Sequence, residues 1–229
     1  MRRESSTVVV LVGEVTDGLL AGLGRAANVS VARATAARVP AGGAPAARVP
    51  AGGAPAGGAP AAGTGRPPGQ EPAAAPAGWE TGALALREAS RRQSTYVIVP
   101  HDPLADVAAQ WRAMWEGLSG PAGFEARAAE VLAAWRDKRF DLPDYYLVVP
   151  RAGADGTGAD LYLGPLRAAR PRRVAVAGAA GDAAASLARV RDALGALQHG
   201  RWWPPLDELI EGARRFNAAA LAESQPAPA

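Results

Sequence analysis

The chain of 229 residues has no cysteine, a sole lysine (Lys138) and two histidines. Without cysteine there is no disulfide, no cysteine-ligated zinc or iron–sulfur cluster, and no cysteine nucleophile. Two histidines leave little for a metal site, and no cofactor is expected. No apolar run approaches the roughly 20 residues that span a bilayer. The apolar patch behind the charged start, MRRESSTVVVLVGEV, is cut by Gly13 and Glu14 before it is long enough for a signal-peptide core. A cytoplasmic protein without membrane contact is the expectation. The lysine shortage also explains a pI of 9.8 beside a net charge of only +3, because arginine, with its much higher pKa, sets the balance. That pI is a weak signature of nucleic-acid binding.

Two phosphate-binding signatures are missing as well. The dinucleotide fingerprint G-x-G-x-x-G does not occur. Gly13 and Gly18 have the outer spacing of a P-loop, but Leu19-Leu20 stands where Lys-Ser/Thr is required. What remains there is a strand–turn–helix whose backbone N–H groups suit an anion, opposed by the charges of Glu14 and Asp17.

What is present is an alternation of apolar runs and helical stripes. Thr95–Val99 (TYVIV) reads as a strand buried on both faces, ended by Pro100, which has no N–H for a sheet ladder. Asp102 sits where a helix cap belongs, Pro103 fits the first turn, and Leu104, Val107, Ala108, Trp111, Trp115 and Leu118 form one apolar stripe. Further strands are expected at 7–12, 29–33, 145–149 and 173–177, with helices between them. Thr16 or Asp17 caps the first helix. Residues 160–163 (DLYL) are expected to return from a turn at 152–158 as a short edge strand. This predicts a three-layer α/β domain, Rossmann- or flavodoxin-like, with a mostly parallel sheet of about five strands and an edge hairpin.

From 36 to 78 the composition shifts to proline, alanine and glycine. ARVPAGGAPA at 37–46 repeats unaltered at 47–56. Such a stretch has little to bury and is expected to be a disordered insertion. Residues 1–35 are too few to fold alone. They are expected to join 79–223 in one domain, with 224–229 a disordered tail.

Four groups of residues are candidates for function. His101 and Asp102 stand at the carboxyl end of a strand, where open α/β sheets keep their ligands. With Asp17 they are the candidate acid–base groups, although Asp102 also has the simpler role of cap. Gly13 and Gly18 are phosphate-loop candidates, otherwise an ordinary turn. Arg167, Arg170, Arg172 and Arg173 are a phosphate-binding cluster or a solvated edge. No aromatic residue interleaves with them to stack bases, so nucleic acid is not an expected partner. Trp202-Trp203 lie on a connection; both in the core is the plain reading, and one exposed as a partner anchor is the functional one. No complete catalytic motif is present. A non-catalytic protein-binding or regulatory module is therefore expected, the alternative being a transferase-like enzyme for a nucleotide or sugar phosphate.

Overall fold

The computed structural model describes residues 6–33, 78–150, 160–178, 182–198 and 202–223, all within one compact unit. The proline- and alanine-rich stretch up to residue 77, the 152–158 turn, His199 and the tail after 223 lie outside the described residues.

In chain order the first elements are β1 (Thr7–Gly13), α1 (Asp17–Gly24), β2 (Val29–Val31), α2 (Gly78–Ala89), β3 (Tyr96–Val99) and α3 (Ala105–Trp115). Next come α4 (Pro121–Arg136), β4 (Tyr145–Val149), α5 (Arg167–Ala169), β5 (Val174–Val176), α6 (Ala183–Gly195) and α7 (Leu206–Glu223). Caps follow side-chain chemistry. The Thr16 hydroxyl accepts from the Leu19 N–H at 3.2 Å, and an Asp182 carboxylate oxygen accepts from the Ala185 N–H at 2.7 Å. Pro121 opens α4, where its missing donor costs nothing.

β1 is apolar throughout because it is covered on both faces and paired on both edges. Val8, Val10 and Val12 enter one core while Val9 and Leu11 enter the other, the alternation of a pleated strand. Val9 pairs with Ile98 of β3, and Leu11 with Leu147 of β4, both in parallel. The five strands form one sheet of order β2-β3-β1-β4-β5, parallel at every pair. The front of the chain is thus the centre of a sheet whose other members, β2 apart, begin at Tyr96.

One core receives α2, α3, α4 and α7; the other receives α1 and α6. Trp111 is fully buried in the first, with its ring 5.4 Å from Phe124 and 6.1 Å from Trp115. The three layers and the parallel five-stranded sheet are those the sequence predicts. The order is different: β3 inserted between β1 and β2 departs from both doubly wound orders. Among the described residues no helix is long and apolar enough to cross a membrane.

The edge strand expected at 160–163 is not formed. Asp160 instead accepts from the Tyr162 and Leu163 N–H groups at 2.8 and 3.3 Å and starts a turn of π-helix, Tyr162–Leu166. The wide register has a simple cause. Pro165 has no N–H to give the Leu161 carbonyl, so the Leu166 N–H, one residue on, takes it at 3.1 Å. Leu161, Tyr162 and Leu166 are buried by this turn.

Candidate functional site

Neighbouring strands β1 and β3 send their chains to opposite faces, α1 packing in one core and α3 in the other. Where strands part in this way, a crevice opens beyond their carboxyl ends. Here it encloses about 570 Å³. It is lined by Leu11–Gly13 and Val15 at the end of β1, by Pro100 and Asp102 after β3, and by Asp160–Tyr162. α3 contributes Ala105, Ala108, Ala109 and Ala113, which keep space that larger side chains would fill, together with Arg112 and the Glu116 that follows the helix.

Gly13 is fixed in this wall by its backbone. Its φ of +96° is open to glycine, and a Cβ there would stand 2.2 Å from the Val149 carbonyl oxygen. Instead the Glu14 N–H donates to that oxygen at 2.9 Å.

Asp102 is the buried polar centre. Its Oδ1 accepts from the Leu104 N–H at 3.0 Å and from the Tyr146 hydroxyl at 3.1 Å; Oδ2 accepts from the Tyr162 hydroxyl. One carboxylate therefore joins the end of β3, the middle of β4 and the π turn. Burial pushes its pKa up from 3.8 to about 6; the Tyr162 hydroxyl, the Leu104 N–H and the Tyr146 hydroxyl hold it from rising further. Both tyrosines are raised well above their ordinary value of 10, first by burial and then by the charge of Asp102. The cluster extends to Trp203, whose ring meets Tyr146 edge-on at 5.7 Å and whose Nε1–H donates to the Pro143 carbonyl at 2.8 Å. Behind Asp102, α2 approaches so closely that a Cβ on Gly82 would be 2.3 Å from the Pro103 nitrogen.

Of the acid–base and glycine candidates, Asp102 and Gly13 share this crevice. His101 is half-buried but does not line it. Asp17 points its carboxylate to solvent, 94% exposed, and pairs with Arg33 at 3.4 Å. Gly18 lies on α1 outside the lining. Asp102 caps a turn before α3 rather than the helix itself, which begins at Ala105. The arginines are at the far end of the sheet, leading into the amino end of β5. Arg173 is buried and donates to the Asp144 carbonyl at 3.1 Å, so its charge is structural. Trp203 is half-buried, whereas Trp202, expected in the core, is 67% exposed.

Sequence reasoning missed Tyr146, Tyr162 and Asp160. The signal available for the first two was a tyrosine in each of two apolar segments, since a buried phenol requires a partner. No family model matches this chain, and neither any curated protein nor any solved structure matches it.

Proposed function

We propose that this protein is a non-catalytic binding module that holds a small amine-bearing ligand in the crevice beyond β1 and β3. The observation that carries the reading is the state of Asp102. Three of the four acceptor positions of its carboxylate are filled by protein donors, which leaves one on Oδ2 for a ligand N–H. A group so committed binds and orients rather than shuttles protons, and no second acid–base side chain of the His101–Asp17 set lines the crevice. The lining charges support a cation: Asp102, Asp160 and Glu116 outnumber Arg112, which already pairs with Asp160 at 3.5 Å. Phosphorylated ligands, the alternative from the sequence, find no free arginine among the described lining residues. Thr16 also takes one of the N–H groups at the start of α1.

Thermal shift against polyamines, amino alcohols, polyols, nucleotides and sugar phosphates tests this. The amines are expected to raise Tm by an amount that grows with the logarithm of their concentration above Kd, the equivalent of about 2.7 kcal/mol at a hundred times Kd. The shift is expected to shrink in Asp160→Asn and Asp102→Asn, each measured against its own baseline. Stabilisation by phosphates alone, or amine shifts untouched by both substitutions, would overturn the proposal.

A further inference from the structure

The arginine cluster lacks an aromatic neighbour in sequence, but the fold supplies one. Trp202 is brought from 32 residues away onto this corner: its carbonyl accepts from Arg170 Nε at 2.9 Å, and one face of its indole rests on the Arg173 guanidinium at 4.8 Å. Arg173 is itself held by the Tyr145 ring, also at 4.8 Å, and by the Asp144 carbonyl. The result is a layered stack, Tyr145–Arg173–Trp202, with the outer indole face open to solvent. Trp202 has its backbone tied and one ring face seated, so it is presented with little conformational freedom left to lose.

We propose that this corner binds single-stranded nucleic acid, one base stacking on the open face of Trp202 and the adjoining phosphates pairing with Arg170 and Arg172. Three features favour this over a protein partner. The guanidinium groups of Arg167 and Arg172 are exposed and have no ion-pair partner among the described residues. Arg170 has spent Nε and Nη1 on backbone carbonyls but keeps Nη2. Finally, among the described residues the other exposed large apolar ones are Leu84, Leu118 and Val176, on α2, after α3 and at the opposite end of β5. Among the described residues Trp202 therefore lacks the apolar surround of a protein hot spot. A lone aromatic face beside unpaired cations is instead the recurring unit of single-strand binding. Asp207 and Glu208 line the groove beside Arg170 and bar the phosphate backbone from that side.

The test is fluorescence anisotropy of a labelled short oligothymidylate titrated with the full chain across a salt series. Two phosphate contacts predict a log–log salt slope of about −1.4. Trp202→Ala is expected to weaken binding roughly tenfold without changing that slope, and Trp202→Phe to restore most of it. Arg172→Gln is expected to flatten the slope by about 0.7. Both positions are exposed, and an unchanged Tm confirms that each variant is folded. Heparin and an acidic peptide serve as competitors. Affinity indifferent to Trp202→Ala marks a general polyanion surface and overturns the proposal. So does Trp202-dependent binding of the acidic peptide without the oligonucleotide, which makes the corner a protein site. Neither result bears on the crevice.

Discussion

Replacing Asp102 by asparagine separates the charge of this residue from its shape. The asparagine side chain keeps an oxygen for the Leu104 N–H and the Tyr146 hydroxyl, but turns an amide donor toward the Tyr162 hydroxyl and deprives it of its acceptor, at about 1 kcal/mol. The substitution also removes the burial of a charge. In the folded state the Asp102 carboxyl has a pKa of about 6, against 3.8 ordinarily. A raised carboxyl pKa means that its stabilising contribution is complete only well below 3.8, at about pH 3, where the group is neutral in both states, and is lost as pH rises through 6. Roughly two pH units at 1.36 kcal/mol each give a loss of about 3 kcal/mol. Asp102→Asn is thus expected to be about 1 kcal/mol less stable than the native chain at about pH 3 and about 2 kcal/mol more stable at about pH 7.5. Urea unfolding of both proteins across that range measures the difference directly. Shifts at other carboxylates cancel because both chains share them. A stability difference that stays flat with pH, or moves in favour of the native chain as pH rises, would refute the account of Asp102 as a charge held against its burial.

Two other substitutions probe the surroundings. Gly82→Ala is expected to destabilise by about 2 kcal/mol despite alanine's better helix propensity, because α2 must move off the Asp102–Pro103 backbone; a stabilised variant by thermal melt would show that this contact is loose. Glu125→Gln breaks the two-bonded pair in which Arg214 Nε and Nη2 reach Glu125 at 3.0 and 2.6 Å. Arg214, chiefly by hydrogen bonding, holds the Glu125 pKa below its usual 4.5, so the contribution is present above that pH and lost as pH falls. Both side chains are about two-fifths exposed, which limits the cost to about 0.5–1 kcal/mol at pH 7 in low salt. A loss above about 2 kcal/mol in urea titrations would mean that the pair is not solvent-screened.

The central strands β1, β3 and β4 were legible because each is an apolar run buried on both faces, and the stop at Pro100 and the Thr16 cap are local chemistry. The strand order was not, since nothing within β2 or β3 states which of them lies beside β1. The 160–163 segment misled because DLYL alternates like a strand. The deciding features were the reach of the Asp160 carboxylate over its own backbone and the absence of an N–H on Pro165, four residues after Leu161. The site was half legible. Gly13 and Asp102 were visible as the ends of strands, but Tyr146 and Tyr162 reach Asp102 across 44 and 60 positions. Separations of that length carry no local pattern. The exposed indole was missed for a related reason: Trp202 is stabilised outside the core by Arg173, a contact between two segments that read separately as a loop and a strand edge.

The place of β1 at the middle of the sheet has a consequence for synthesis. This strand leaves the ribosome before both of its neighbours, which lie beyond residues 95 and 144. Until Val99 has emerged both edges of this apolar ribbon are unpaired, and one edge stays open until Val149 follows. A holdase chaperone that grips Val8–Val12 would cover that ribbon until its partners arrive.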